Sequence, residues 1–298
     1  MSTFLRIAHL SDLHFSKISK SPLQLFSKRW VGNLNLLLFR KREGAAKLLD
    51  SLCQLLFHLK VELVLITGDL TSTSHRSEFQ LATLFVKQLH ALGMEVVSLP
   101  GNHDHYTKRA YRQRRFYDFF PGHFMHEGHP FSSVNLKTHA VGVKSLGNHW
   151  WLVALDTALA TSLISSRGYF SKEIEDHLRD VLIKIPKKDN VLLANHFPFF
   201  QNDHPRKKLV RGEALKSLLE EFPCVKLYLH GHTHRRCLAD LRANGLPLIL
   251  DCGSTGMGGR VCWNLIDLEE GLIRIEHFDS KEAQWEGGKV HSFSLEEG

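Results

Sequence analysis

The stretch Val225-Lys226-Leu227-Tyr228-Leu229-His230-Gly231-His232-Thr233-His234 decides the fold. Its first half reads as a buried β-strand, apolar at nearly every position, and it breaks off into histidines around a glycine. Four earlier apolar runs end in the same manner. Leu5 to Leu10 leads to Asp12-Leu13-His14, Leu63 to Thr67 to Gly68-Asp69, Val96 to Leu99 to Gly101-Asn102-His103-Asp104, and Val191 to Ala194 to Asn195-His196. Polar side chains therefore gather at the C-terminal ends of strands, where open α/β sheets place their ligands.

The residue types and spacings suit metal ions. Asp12 and His14 are two apart, so at an extended strand end one carboxylate and one imidazole face the same ion. Gly68 permits the tight turn that aims Asp69 over the strand ends, where a carboxylate can bridge two cations with its two oxygens. Asn102 adds an amide oxygen, and His103 is flanked by Asp104, an arrangement that can orient a proton-donating histidine. His232 and His234 repeat the two-residue spacing in an extended loop, while His230 reads as a packed residue rather than a ligand. The donors are His, Asp and Asn without Cys, a set for Mn(II), Fe or Zn rather than for Ca(II) or a structural zinc. One strand-end histidine is usually a packing or surface residue; five clusters in order are not chance.

Composition agrees with a folded enzyme core. The chain has 298 residues, 43% of them hydrophobic, and a formal net charge of +7, which favours an anionic partner. Its five cysteines are widely spaced with no C-x-x-C pair, which excludes a thiolate zinc site and a disulfide framework and points to a reducing cytoplasm. The N-terminus lacks a signal-peptide pattern, and no apolar run is long enough to span a bilayer. Further strands are predicted at Trp150 to Leu155 and Leu246 to Leu250, with helices at Gly44 to Leu59, Ser77 to Leu92, Ser171 to Ile183 and Gly212 to Phe222. Gly271 to Phe278 alternates and reads as an edge strand, followed by a loose tail after residue 280. A single domain over residues 1–298 is expected.

The series Asp-x-His, Gly-Asp, Gly-Asn-His-Asp, His, Gly-His-x-His resembles the calcineurin-like metallophosphoesterase superfamily over residues 6 to 234. Leu155-Asp156-Thr157, Gly168-Tyr169-Phe170-Ser171 and Asn195-His196-Phe197-Pro198 are similar to its class III cyclic-nucleotide phosphodiesterase branch. The resemblance implies an α/β fold, a four-layer α/β/β/α sandwich with two mixed β-sheets, carrying two divalent or trivalent metal ions. It implies that Asp12, His14, Asp69 and His234 hold one ion and that Asp69, Asn102, His196 and His232 hold the other. It further implies that His103 acts on the leaving group with Asp104 orienting it. A hydroxide between the cations would attack phosphorus in line with the departing oxygen. All motif positions are filled, as a catalytic member requires.

Substrate is less legible. The leading reading is a small-molecule or cyclic-nucleotide phosphodiesterase. Alternatives are a pyrophosphatase acting on a UDP-linked acylated sugar in lipid A synthesis, a nuclease, and a non-catalytic scaffold on the same fold. The lipid A branch resembles Gly-Asn-Arg-Asp where this chain has Gly-Asn-His-Asp. Two basic inserts should overhang the site, one over about residues 15–43 and one over about 105–118. The first surrounds Leu34-Asn35-Leu36-Leu37-Leu38-Phe39 with lysines and arginines and suits an anionic membrane surface, which would place the protein at the inner membrane face. In the second, Arg109 is a candidate substrate contact, as is His204 beyond His196. His105, His123, His126 and His129 read as rim or surface residues. A homodimer is common in the resembled branch, and nucleic acid is a partner suggested by charge alone.

Overall fold

Parallel strands with helical crossovers need cover on both faces, and the chain supplies it twice. The structure, a computed structural model, describes residues 4–17, 43–125, 128–161, 165–200, 204–256, 261–282 and 284–295. In chain order it begins with β1 (Phe4–Leu10), α1 (Glu43–His58), β2 (Leu63–Ile66), α2 (Arg76–Ala91), β3 (Glu95–Ser98), α3 (Lys108–Arg112) and α4 (Leu136–His139). It continues with β4 (Val141–Gly147), β5 (Trp150–Leu155), β6 (Gly168–Tyr169), α5 (Lys172–Lys184), β7 (Asn190–Ala194), β8 (Leu209–Val210), α6 (Gly212–Glu221) and β9 (Val225–His230). It closes with β10 (Arg236–Asp240), β11 (Leu248–Cys252), β12 (Cys262–Glu269), β13 (Leu272–Lys281) and β14 (Gln284–Ser294).

Two six-stranded sheets result, in the orders β14-β13-β12-β1-β2-β3 and β10-β11-β9-β7-β5-β4. Both are mixed: β1, β2 and β3 are parallel, as are β5, β7, β9 and β11, and antiparallel strands flank each set. The period-2 alternation of side chains assigns the layers. Leu152, Ala154, Leu192, Ala194, Leu227 and Leu229 join the core of the first sheet, which also takes Leu52 and Leu56 of α1 and Phe79 and Leu89 of α2. Their neighbours Val153, Leu155, Val191, Leu193 and Val225 pack instead with Leu178 of α5 and Leu215 and Leu218 of α6. The order is therefore helix, sheet, sheet, helix. Local signals start the helices: Ser171 Oγ accepts from the Ile174 N–H at 3.2 Å, and His75 caps α2 with Glu78 completing a capping box.

Five strands of the two large sheets differ from expectation. The segment expected at an edge, Gly271 to Phe278, is the interior strand β13, and the tail expected to be loose contains β14, paired along β13. Gly287 and Gly288 hide this strand in the sequence; a Cβ at Gly287 would run into the Glu276 carboxylate, so the first of them is needed for close packing. Strands β4, β10 and β12 are also unannounced, β10 because it is a short, charged edge and β12 because it is buried on both faces and loses alternation. Apart from Lys17, the basic and apolar stretch to Arg42 lies outside the described residues. No helix among the described residues is long and apolar enough to cross a membrane.

Candidate metal centre

All five sequence clusters meet where strand ends of the two sheets face each other. Asp12 and His14 follow β1, Asp69 follows β2, Asn102 and His103 follow β3, His196 follows β7, and His232 and His234 follow β9. The two-residue spacings do not work through extended backbone. Asp12, His14, Asp69, His232 and His234 all have φ between 49° and 69°, the left-handed region that Asp and His tolerate better than most residues. Each such residue costs on the order of 1–3 kcal/mol, and their concentration at one spot marks a site held by its surroundings.

Two glycines let the loops close. A Cβ at Gly101 would overlap Asp69 Oδ1, and one at Gly231 would overlap Ser11 Oγ and crowd Asp12 Oδ2. Behind them, Ser254 Oγ and the Gly256 N–H donate to the Asp12 carbonyl at 3.1 and 3.2 Å, and the Thr255 N–H donates to the Ser11 carbonyl at 2.8 Å. This Gly253-Ser254-Thr255-Gly256 brace was not anticipated, although a Gly and Ser cluster after an apolar run is the signal that could have found it.

The donor atoms converge in two groups. In the first, His234 Nε2 lies 2.9 Å and His14 Nε2 3.5 Å from Asp12 Oδ1, and the two imidazole nitrogens are 3.5 Å apart. In the second, His196 Nε2 lies 3.2 Å from Asn102 Oδ1 and 3.5 Å from Asp69 Oδ2. The His232 ring meets the His196 ring edge-on at 5.0 Å between centroids. Asp69 Oδ2 is also 3.7 Å from His14 Nε2, so one carboxylate oxygen stands between the groups. Its other oxygen accepts the His103 N–H at 2.7 Å, which replaces the expected two-oxygen bridge by a single-oxygen one.

These residues fit a pair of cations. Two ligands on one ion at bonds of about 2.0–2.2 Å lie about 3.0–3.5 Å apart, which matches the separations within each group. The tautomers agree: His196 Nδ1–H donates to the Thr67 carbonyl at 2.8 Å, leaving Nε2 aimed at Asn102 and Asp69, and His232 Nε2–H donates to the Lys207 carbonyl at 2.9 Å, leaving Nδ1 bare. Charge agrees as well. Burial drives the Asp12 and Asp69 carboxyls upward, but the surrounding imidazoles, His234 foremost for Asp12 and His196 for Asp69, carry both below the usual carboxylate range. Burial lowers His14 to about 4 and His232 to about 3, so both are neutral and ready to ligate. Against burial, the Asp69 and Asp12 carboxylates lift His196 to about 9, and Asp12 raises His234. The His196 proton thus sits where a cation would.

His103 lies beside this centre. Its ring meets His14 edge-on at 4.7 Å, stacks on Tyr106 at 5.5 Å, and its Nδ1–H donates to the Ser72 carbonyl at 2.7 Å. That carbonyl, and not Asp104, orients the imidazole. Asp104 is fully buried and accepts from the N–H groups of Leu70, Gly101 and Thr71 and from the Thr71 hydroxyl, at 2.8–3.1 Å. It clamps the second cluster to the third, a correction to its expected role; its carboxylate is spent on backbone donors before it can reach the ring. Burial and the Asp69 charge push it up to about 6 against those donors.

The remaining candidates are spread around. His230 is buried behind the loop, its Nδ1–H donating to the Gly231 carbonyl at 3.1 Å with Asp251 at 3.5 Å. His105, expected at the rim, is instead fully buried 3.5 Å from Asp156, because the chain turns inward after Asp104. Two of the five basic residues of the second insert follow it: Arg114 contacts Asp156 at 3.3 Å, and Arg115 is buried with Nη1 donating to the Ser74 carbonyl at 3.0 Å. Arg109 is exposed on α3. His204 is exposed on the lip that carries the Lys207 carbonyl, and its Nδ1 accepts from the Arg206 N–H at 3.2 Å.

The sequence profile of calcineurin-like phosphoesterases matches residues 5–236, a stretch that contains every one of the converging side chains. The chain belongs to the calcineurin-like phosphoesterase family. Among solved structures, this phosphoesterase-family chain is similar to a dimetal phosphatase from Danio rerio, with 15% identity, a TM-score of 0.69, and coverage of 99% of this chain and 100% of that one. It is also similar to purple acid phosphatase PPD1 from yellow lupin seeds (12% identity, TM-score 0.62, 99% and 54% covered). A third is GAP50, described as the anchor in the inner membrane complex of Plasmodium (12% identity, TM-score 0.59, 99% and 90% covered). At such identities these likenesses speak for the fold. No curated protein matches the sequence significantly.

Proposed function

We propose that the chain is a dinuclear-metal phosphoesterase that hydrolyses a small phosphodiester, with a cyclic nucleotide as the leading substrate. The observation that carries this reading is Asp69 Oδ2 standing between His14 on one side and His196 on the other, which joins two ligand groups into one centre. Asp12, His14, Asp69 and His234 would hold one ion, and Asp69, Asn102, His196 and His232 the other. Two Mn, Fe or Zn ions there would supply charge neutralisation for the phosphoryl group and acidify a water.

The chain's own residues do the rest. Asp12 and Asp69 stay ionised and fix the charge balance of the centre. His103, with Nδ1–H committed to the Ser72 carbonyl, presents Nε2 as the atom that takes a proton from solvent and returns it to the departing alkoxide. Tyr106, stacked on that ring, limits its rotation. His204 and Arg109, both exposed, are the proposed substrate contacts.

The test is a panel with Mn(II)-loaded protein: cyclic nucleotides, bis-p-nitrophenyl phosphate, simple monoesters, a UDP-linked acylated sugar and single-stranded DNA. Turnover of the diesters above the monoesters supports the reading. Preference for the UDP-linked sugar or DNA reassigns the substrate, and turnover of none, with two ions bound, favours a non-catalytic role. The last outcome has a structural counterpart in GAP50, described as an anchor.

A further inference from the structure

A row of polar side chains crosses the first sheet. His277 Nδ1–H donates to Asn264 Oδ1 at 2.6 Å, Asn264 Nδ2–H donates to His9 Nδ1 at 3.2 Å, and His9 Nε2–H donates to Thr67 Oγ1 at 2.9 Å. With Asn264 Oδ1 facing His277 and Nδ2 facing His9, the direction of every link follows. An amide oxygen only accepts, so His277 Nδ1 carries a proton; an amide nitrogen only donates, so His9 Nδ1 is bare and its proton is on Nε2. Strand register sets the row, with His9 opposite Asn264 and Asn264 opposite His277. His9, Asn264 and Thr67 are fully buried, where apolar residues would fill the same space without a desolvation cost.

The row ends on the peptide that holds His196. The Thr67 carbonyl accepts the His196 Nδ1–H and so decides which imidazole nitrogen is left bare. The next residue, Gly68, has φ of 99°, a region that glycine enters freely, so sterics alone do not fix the Thr67–Gly68 peptide plane. The Thr67 side chain, with its restricted χ1, is held by His9 on one side and by the Leu10 carbonyl, at 3.4 Å, on the other.

We propose that His9, Asn264 and His277 are positioning residues for His196, acting through Thr67. Strands β12 and β13, which lie beyond the family-matched residues 5–236, thereby set the affinity of the ion on the Asn102 and His196 side. This rests on the dinuclear reading given above.

The test measures Zn(II) stoichiometry and affinity by chelator competition, together with melting temperature, for wild type, His9→Leu, His9→Gln and Thr67→Val. Wild type binds two ions. In His9→Leu one ion keeps its affinity and the other weakens about 10- to 100-fold, the usual effect of losing an outer partner. In His9→Gln, which retains a side-chain donor, most of that loss is recovered. Thr67→Val, which changes shape least, shows the same selective weakening if His9→Leu does not fold. Equal weakening of both sites in step with a lowered melting temperature, or no change at either site, overturns the proposal. A wild type that binds no ions refutes the dinuclear reading itself, a separate failure.

Discussion

Replacing Asp104 by alanine separates a clamp from an orienting group. Three buried N–H donors, those of Leu70, Thr71 and Gly101, lose their acceptor together, while the Thr71 hydroxyl keeps the His103 carbonyl at 3.3 Å. At about 2 kcal/mol for each donor left unsatisfied, the loss is about 6 kcal/mol. Two effects reduce it. The upward push of Asp104 to about 6 marks a carboxylate whose ionised form costs roughly 3 kcal/mol to bury at neutral pH, a cost the substitution removes. Water entering the small cavity recovers part of the remainder, leaving about 2–3 kcal/mol. With an unfolding entropy of about 2.1 cal/mol/K per residue over 298 residues, the melting temperature falls by roughly 3–5 °C. The assay is thermal unfolding at pH 7.5 in excess chelator, so that metal loss does not contribute. A melting temperature within about 1 °C of wild type, accompanied by lost turnover, would refute the clamp and restore Asp104 as the partner of His103.

The other predictions follow from single contacts. Asp69→Ala removes the oxygen between the two groups, so elemental analysis should find fewer than two ions per chain and activity should vanish; two retained ions would contradict the bridge. His103→Ala should keep both ions and lose most turnover on alkyl esters while losing less on p-nitrophenyl esters, whose leaving group needs no proton; equal loss on both counts against a proton donor. Gly231→Ala forces a Cβ into Ser11 and Asp12, so the ion on the Asp12 side should weaken at a stability cost of about 1–3 kcal/mol, read by metal titration and urea unfolding. Burial, aided by the charge of His230, lowers His9 from the usual 6.5 to about 3. The unfolded chain therefore binds the extra proton, and the stability that His9 contributes is complete above pH 6.5 and lost as pH falls toward 3. Between pH 7.5 and pH 5, wild type should lose about 2 kcal/mol relative to His9→Gln, and parallel pH profiles would sink this.

How much of this was legible depended on what carries a letter. The seven converging side chains announced themselves because strand-end Asp, His and Asn are identifiable residues in a fixed order, and the layers followed from apolar runs such as Val191 to Ala194. The groups that aim those ligands are backbone carbonyls of Thr67, Ser72 and Lys207, and a carbonyl is the same in every residue. Adjacency misled for Asp104: next to His103 in sequence, its side chain reaches the opposite way to the second cluster. Extended-strand geometry misled for Asp12 and His14, since left-handed backbone at both brings them together by another route. Strand β14 stayed hidden because Gly287 and Gly288 broke the alternation that identifies strands, while the brace at Ser254 and Thr255 depends on contacts over 240 residues away in the chain.

Anomalous diffraction from crystals of Mn(II)-loaded protein tests the central claim most directly. Two peaks are predicted on either side of Asp69 Oδ2, one among Asp12, His14 and His234 and the other among Asn102, His196 and His232. A single peak, or none at saturating Mn(II), would contradict a dinuclear centre.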